Sequence, residues 1–368
     1  MKGKTTKKIL AAVLAAAMSV SITACGSKES DDSGRKNPDS IRQENQGENN
    51  SVSKEQNFGE TKTEYPLTVD SYDNNGEEIT TVYEKAPEKV LAVYQGSIET
   101  LLALGLEDKL VGTAGLDNEV PDDMKAAFSK VNYLDEFTPS KETVTMLEPD
   151  MIFSWGSIFS DKKLGSAQTW IEKGVNTYIN TNTRPKQGEI KHNKTLENEY
   201  KDLLTIGEIF DVQDKAQAIV NKMKNTVTQV LEATKDMKEK PTALILESGK
   251  DTFTNYGASS LGGDMLTQLG GKLANPDGAD MGKEDIIAAD PEIIFVVYMP
   301  YEGDDPEVVK AEKLKKIMED PSLASLQAVK NGRVVPIMLS EMYASATRTQ
   351  DGIIKMAKGL YPEINIKE

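Results

Sequence analysis

The sequence is poor in the side chains that most often build reactive and metal centres, with one cysteine, Cys25, and one histidine, His192, among its 368 residues. A disulfide within the chain is therefore excluded, and so are zinc sites that need several thiolates or imidazoles. A Ser-His-Asp arrangement would have to use His192. After residue 24, every apolar run is far shorter than the roughly 18 residues that a membrane-spanning helix needs.

Basic residues are also scarce relative to acids, since 43 lysines and arginines stand against 59 aspartates and glutamates, for a net charge of −16. Nucleic acids and anionic lipid surfaces attract basic proteins. The composition therefore predicts a protein that neither binds nucleic acid nor lies flat on a bilayer.

Residues 1–24 have the layout of a secretory signal peptide, with four lysines among the first eight residues, the apolar run ILAAVLAAA and small residues just ahead of Cys25. Cleavage there would leave Cys25 as the new N-terminus. The layout resembles the bacterial lipobox, whose cysteine is acylated, for example with palmitate. We expect a lipid on Cys25 that anchors the protein to the outer face of the cell membrane. A cysteine in a core is the alternative, which the adjacent signal peptide disfavours.

Residues 25–64 are nearly all serine, asparagine, aspartate, glutamate, lysine, glutamine and glycine. Such a segment buries too little apolar surface to offset the entropy of ordering it, so we predict a disordered tether. The remaining chain is longer than one core usually supports, which favours two lobes.

The chain repeats one short pattern, ETVTMLEPDMIF from Glu142 and EDIIAADPEIIF from Glu284. Each copy reads as a helix of two turns, a proline, an acidic residue and a buried strand. A strand, a glycine-containing loop and a helix also precede each copy. This alternation predicts an α/β fold of two lobes, 65–212 and 240–368, each with a mostly parallel sheet flanked by helices.

Between the halves, apolar residues recur at helical spacing from Ala216 to Leu231. They predict a linker helix over 213–239, long enough to cross from one lobe to the other. An ordinary surface helix of one lobe is the alternative.

The two Glu–Pro units, the joining helix and the segments APEKVLAV (86–93), KNGRVVP (330–336) and LYP (360–362) together resemble the iron-siderophore and cobalamin solute-binding proteins of ABC importers. That resemblance implies two lobes around a ligand cleft, joined by a rigid helix that limits closure. It also implies that Glu142 and Glu284 dock on arginines of the ABC transporter permease. Two solvated glutamates that merely favour their helix dipoles are the alternative.

In open α/β sheets, ligands bind beyond the carboxyl ends of the strands. Aromatic residues are concentrated at these ends although they form 6% of the chain, and rigid rings suit a flat or chelate-like ligand. Basic residues there could face an anionic siderophore. The residues predicted to bind the ligand are Tyr94, Trp155, Arg184, Lys186, Tyr256, Tyr301, Tyr343 and Arg348. The alternative for any single tyrosine is a capping or packing residue, and for each lysine or arginine a solvated surface cation, so the prediction rests on the group, with Trp155 its strongest member.

A ferric siderophore is the expected ligand, with cobalamin and haem left open. Met299, Met342 and His192 are conceivable axial donors for haem, but methionines more often fill gaps in cores. The sequence lacks a cluster of metal-ligating residues, so we expect no metal site of the protein's own, and no cofactor besides the lipid, with iron bound only within the ligand complex.

An enzyme is disfavoured, because the chain has no evident nucleophile with its base and no phosphate-binding loop, and GASSLGG (257–263) lacks the P-loop lysine. Paired carboxylates of a surface glycoside hydrolase stay open, since their separation is three-dimensional. A surface adhesin would more usually be a β-sandwich. The sequence therefore predicts a membrane-tethered receptor that delivers an iron complex to an ABC importer.

Overall fold

The structure is a computed structural model that describes residues 62–187, 192–301, 303–344 and 346–367. The predicted signal peptide, Cys25 and the predicted tether up to residue 61 lie outside the described residues.

An antiparallel hairpin that the sequence analysis did not predict opens the described part of the chain. It pairs β1 (Leu67–Tyr72) with β2 (Glu78–Tyr83). Its turn is closed by Asp73, whose carboxylate accepts the backbone N–H groups of Asn75 and Glu77. Val69 and Tyr83 are buried in the core of the first lobe, so the hairpin is part of that lobe.

The first lobe is built, within the described residues, on a parallel four-stranded sheet of order β4-β3-β5-β6. Its elements are β3 (Val90–Val93), α1 (Gln95–Ala103), β4 (Leu110–Ala114), α2 (Lys125–Phe128), α3 (Lys141–Leu147), β5 (Met151–Ser154), α4 (Ala167–Ile171) and β6 (Asn176–Ile179). Alternate residues of β3 enter two separate apolar clusters, one on each face of the sheet. Burial of both faces explains why the strands are apolar without alternation.

Two long helices, α5 (Leu196–Ile209) and α6 (Gln213–Thr234), connect the lobes. The start of α5 packs in the second lobe's core through Leu196 and Leu203, whereas its end packs in the first through Ile206. In α6, Ala216 belongs to the first core and Val230 to the second. The linker helix, predicted over 213–239, therefore ends at Thr234. Helix α5 packs beside it and also contributes side chains to both cores.

The second lobe continues the same plan. Its elements are β7 (Thr242–Ser248), β8 (Phe253–Asn255), α7 (Leu261–Gln268), β9 (Lys272–Leu273), α8 (Lys283–Ala289), β10 (Ile293–Tyr298), α9 (Pro306–Met318), α10 (Gln327–Lys330), β11 (Val334–Met338) and α11 (Thr349–Leu360). In the described residues the sheet order is β11-β10-β7-β8, with β9 also on β7, and every pair except β7–β8 is parallel. The predicted α/β class with mostly parallel sheets is confirmed.

The repeated Glu–Pro pattern gives the same local structure twice. Both α3 and α8 have 7 residues, and each ends at an acid in the left-handed conformation, Glu148 with φ 47° and Asp290 with φ 35°. After each proline, the acid accepts hydrogen bonds from the backbone where a neighbouring strand begins. Asp150 accepts from Lys89 at 3.0 Å, and Glu292 accepts from Thr242 at 2.7 Å. The acid after the proline therefore ties each helix-strand unit to its sheet.

Candidate ligand-binding cleft

The carboxyl ends of the two parallel sheets face each other and form a cleft between the lobes. From the first lobe come the residues after β3, β5 and β6, and from the second come those after β10 and β11. The lobes approach closely at Gly96, where a Cβ atom would lie 2.7 Å from the carbonyl oxygen of Ala344. A side chain at residue 96 would therefore push the lobes apart.

A row of aromatic rings crosses this cleft. The ring centroids of Tyr94 and Trp155 are 5.3 Å apart, and those of Trp155 and Tyr343, which belongs to the second lobe, are 5.9 Å apart. Tyr94 is 5% exposed, so it supports Trp155 from behind. Its hydroxyl accepts a hydrogen bond from Lys163 at 2.7 Å. The Nζ atom of Lys194 lies 3.4 Å from the Tyr343 ring centroid, in the position of a cation–π contact.

On one side of this row lies a cavity of about 370 Å³, called here the basic cavity. Arg184, Lys186, His192 and Lys194 all line it, together with Trp155 and Tyr343. Sequence reasoning placed Arg184 and Lys186 here correctly at the end of β6. It missed Lys194, because that residue lies in a polar stretch that no strand end marks.

Three residues that line the basic cavity have a side-chain nitrogen atom without a hydrogen-bond partner in the part of the chain that the structure describes. Trp155 Nε1, Arg184 Nε and His192 Nε2 are all buried without a hydrogen-bond partner in the described residues. Burial, and secondarily the charge of Arg184, lowers the pKa of His192, which favours the neutral form of its ring. Buried polar atoms without partners are unusual in folded proteins. Three of them on residues of one cavity mark it as the candidate site for a polar ligand.

The loop that carries Arg184 is fixed from below by carboxylates of α5. Thr181 donates to Asp202 through its backbone N–H at 2.7 Å and its hydroxyl at 2.6 Å. The Asn182 amide donates to Glu199, and Glu199 also accepts the backbone N–H of Ala346 in the second lobe at 2.6 Å. The position of the Arg184 loop is therefore set by α5, one of the two helices that connect the lobes.

Arg348 does not extend freely into the cleft. Its guanidinium pairs with Glu99 of α1, with Nη2 at 2.6 Å from Oε1 and Nε at 2.8 Å from Oε2. Nη2 also donates to the carbonyl of Glu119 at 2.6 Å. The Glu99 side chain is 0% exposed and that of Arg348 10%. Arg348 thus links the second lobe to the first beneath the cleft.

The remaining predicted residues have different environments. Tyr301 is 61% exposed and lines a central cavity of about 120 Å³, beside Gln95, Met299 and the Trp155–Tyr343 pair. The Tyr256 hydroxyl donates to Glu247 at 2.6 Å, and burial raises the pKa of Tyr256. The structure thus brings Trp155, Arg184, Lys186, Tyr301 and Tyr343 to the cavities, while the hydroxyl of Tyr256 is engaged by a carboxylate.

The candidate axial donors for haem are not gathered around one point. Met342 is fully buried in the core of the second lobe. Met299 lines the central cavity and His192 the basic cavity. In the described part of the chain, no group of three or more histidine, cysteine, aspartate or glutamate side chains is arranged to hold a metal ion. The described helices also include none that is both long and apolar enough to span a bilayer.

A second surface is formed by the starts of α3 and α8, where Glu142 and Glu284 lie exposed in the first turn. Asp150 and Glu292 fix the far ends of these units to the amino ends of β3 and β7. The helix starts therefore face the opposite edge of each sheet, where the cleft opens.

Each of these helices also exposes an apolar side chain one turn after its glutamate. Met146 in α3 is 84% exposed, and Ile287 in α8 is 39% exposed. Residues three or four apart lie on the same face of a helix. A carboxylate and an apolar group therefore share an exposed face in each lobe.

Several known proteins are similar to this chain in sequence and in fold. The sequence signature described as "Periplasmic binding protein" matches residues 90–338. The uncharacterized ABC transporter substrate-binding lipoprotein YvrC of Bacillus subtilis is 26% identical over 316 residues, which cover 82% of this chain and 88% of YvrC. The petrobactin-binding protein YclQ of the same bacterium is 24% identical over 295 residues, which cover 78% of this chain and 84% of YclQ.

Among solved structures, a periplasmic binding protein from Veillonella parvula matches with a TM-score of 0.74 and 27% identity, covering 83% of this chain and 96% of that one. The signature spans more than half of the chain, and the relatives are solute-binding proteins rather than enzymes. The resemblance noted in the sequence is therefore confirmed. This chain belongs to the periplasmic binding protein family, as a two-lobe α/β solute-binding protein of ABC transporters.

Proposed function

We propose that this protein captures a ferric siderophore in the cleft and delivers it to the permease of an ABC importer. The observation that carries the proposal is the basic cavity, in which the cationic side chains of Arg184, Lys186 and Lys194 and the tilted rings of Trp155 and Tyr343 surround one space. Charge-assisted hydrogen bonds to an anionic chelate are strong in such a partly dry site. The relative YclQ, a petrobactin-binding protein by name, supports the same ligand class.

Iron enters this site within its chelate and not as a bare ion. The side chains that line the basic cavity include Arg184, Lys186 and Lys194, whose charges repel a free metal cation. They attract the oxygen-rich, negatively charged surface of a siderophore. No resident cofactor is needed for this role.

The proposal also covers how the receptor is anchored to the membrane and how it contacts the permease. Cys25 carries the lipid that anchors the receptor at the outer face of the membrane, in keeping with the name of the lipoprotein relative YvrC. Glu142 and Glu284 dock on basic side chains of the permease. Charges at the rim of an interface steer the encounter and fix its register more than they raise affinity.

Tryptophan fluorescence tests which class of ligand the cleft binds. Of the two tryptophans, Trp170 is buried and donates to the Leu164 carbonyl, so a Trp170→Phe background leaves Trp155 as the reporter. We expect saturable quenching by a ferric siderophore, with at least tenfold weaker binding after Arg184→Ala. The matched control, Lys235→Ala, removes an exposed cation beyond the end of α6 and should bind normally. Saturable quenching by haem or cobalamin, with none by ferric siderophores, would contradict the proposal.

A further inference from the structure

The cleft contains a third cavity, on the other side of the central one, that differs in character from the basic cavity. It has a volume of about 620 Å³ and lies between residues 116–133 of the first lobe and residues 300–306 and 338 of the second. Its apolar lining includes Leu116, Val120, Phe128, Tyr133, Pro306 and Met338. It is called here the apolar cavity.

The polar groups that border the apolar cavity are largely engaged by protein partners. The Arg348 guanidinium is held by Glu99 and by the Glu119 carbonyl. The Asn118 Nδ2 donates to the carbonyl of Pro300, although Asn118 Oδ1 is buried without a partner among the described residues, and Lys125 pairs with Glu119 at 3.0 Å. The cavity therefore presents mainly carbon surface to an occupant.

The apolar cavity is continuous with the ligand site. Tyr301 lines both it and the central cavity, and Trp155 and Tyr343 line both the central and the basic cavities. The cleft is thus a row of spaces that is cationic at one end and apolar at the other. A compact chelate at the cationic end would leave the larger space at the apolar end unfilled.

From this arrangement we infer that the ligand is amphipathic, a ferric chelate with an anionic head for the basic cavity and an aliphatic or aromatic arm for the apolar cavity. This inference rests on the proposed function and names the class of siderophore. Each methylene that leaves water raises affinity roughly fourfold. An arm of several carbons should therefore raise affinity at least tenfold, even when part of it stays exposed.

Two probes that share the same ferric chelate group and differ in one acyl group test the inference. They are the ferric complex of a citrate dihydroxamate that bears two acetyl groups, and the same complex with one acetyl replaced by octanoyl. Trp155 quenching gives the dissociation constant of each. We expect the octanoyl probe to bind at least tenfold more tightly to the unsubstituted protein. Equal or weaker binding of the octanoyl probe would overturn the inference, and this comparison needs no variant.

Single substitutions test whether the octanoyl arm binds in the apolar cavity. Met338→Gln keeps the size of the side chain but makes the wall polar, and it should reduce the octanoyl advantage, the ratio of the two dissociation constants, below threefold. Val308→Gln, a matched control at an exposed position of α9, should keep the full advantage. Arg184→Ala should weaken both probes by the same factor. An octanoyl advantage that survives Met338→Gln would place the arm elsewhere and overturn the inference.

The outcomes also separate the two proposals. If both probes bind with equal affinity, the amphipathic ligand is wrong and the siderophore receptor stands. If neither probe nor any other ferric siderophore binds, the proposed function is wrong, and the inference that rests on it is wrong as well.

Discussion

Asp202 is a buried carboxylate whose ionisation is coupled to the geometry of the cleft. It accepts hydrogen bonds from Tyr178 at 2.9 Å and from both donors of Thr181, the residue that begins the Arg184 loop. Burial raises its pKa to about 7, and the nearby charge of Glu199 acts in the same direction, against the hydrogen bonds that lower it. Its charged form is thus less favourable in the folded protein than in the unfolded chain.

The pH dependence of stability follows from this shift. An aspartate in the unfolded chain has a pKa of about 3.9. Between roughly pH 4 and pH 7 the folded protein therefore binds the Asp202 proton more tightly, and the free energy of unfolding falls as pH rises through this window. We expect Asp202→Asn to flatten this part of the profile, as measured by urea unfolding at several pH values. An unchanged slope between pH 4 and pH 7 in the variant would contradict the assignment.

Single residues also show what sequence could and could not predict. Trp155 directly follows β5, and Arg184 lies in the loop after β6, two strands that are clear in the sequence, so their place in the cleft was predictable. Arg348 was predicted to face the ligand, yet its guanidinium is held by Glu99, 249 positions away in the chain. Tyr256 is likewise engaged by Glu247. A pairing partner that folding brings from elsewhere leaves no local signal in the sequence.

At the scale of elements, the two Glu–Pro units form the same structure with different supporting contacts. Glu148 and Asp290 both end their helices with positive φ, a conformation that costs energy for any residue with a Cβ atom. Glu148 has one weak surface contact, an ion pair with Lys89 at 3.6 Å. Asp290 instead accepts two hydrogen bonds from Gln327, at 2.9 and 3.0 Å, where α10 begins.

Substitution by glycine should therefore change the stability of the protein in opposite directions at Glu148 and Asp290. Glu148→Gly relieves the backbone and should raise the free energy of unfolding by about 0.5–1 kcal/mol. Asp290→Gly relieves the same conformation but removes the carboxylate that holds Gln327, so we expect a net loss of stability. Urea unfolding of both variants at pH 7 measures the difference. Equal effects of the two substitutions would show that the contacts of Asp290 contribute nothing.

The elements that sequence reasoning missed lie outside the repeated Glu–Pro pattern. The β1–β2 hairpin has mixed polar and apolar strands on the edge of the first lobe. β4 was also not identified, and with it the segment 116–133 that lines the apolar cavity. The Glu–Pro units were found because the chain contains the pattern twice. The parts of the cleft that follow β3, β5, β6, β10 and β11 were thus predictable from strand ends, and the segment 116–133 after β4 was not.

At the scale of the whole molecule, buried carboxylates of the first lobe and α5 hold one short segment of the second lobe. Glu99 pairs with Arg348, and Glu199 accepts the N–H of Ala346. Breaking a buried ion pair leaves an uncompensated charge, which typically costs about 3–5 kcal/mol. Together with the paired helices α5 and α6, these contacts favour a cleft whose lobes keep a fixed spacing. In the proposed delivery, the permease then meets one constant arrangement of the Glu142 and Glu284 surfaces.

The docking surfaces can be tested apart from ligand capture. Glu142 and Glu284 are exposed at the cleft edge of their lobes, away from the residues that line the cavities. Reversing both charges, Glu142→Lys with Glu284→Lys, should slow uptake of the ⁵⁵Fe-loaded siderophore into proteoliposomes that contain the permease at least tenfold. The loss should shrink as salt screens the new repulsion. Trp155 quenching by the same siderophore should be unchanged, because the cavities are intact.

Two further variants make that experiment specific to the proposed surface. Glu232→Lys with Asp236→Lys changes the net charge equally at and just beyond the end of α6, both at exposed positions, and should transport normally. Met146→Ser with Ile287→Ser keeps the glutamates but removes the exposed apolar groups beside them. Because apolar burial is little affected by salt whereas rim charges are screened, this pair should slow transport equally at low and high salt. Docking at Glu142 and Glu284 would be wrong if their reversal spared transport, or if it weakened siderophore binding as much as it slowed transport.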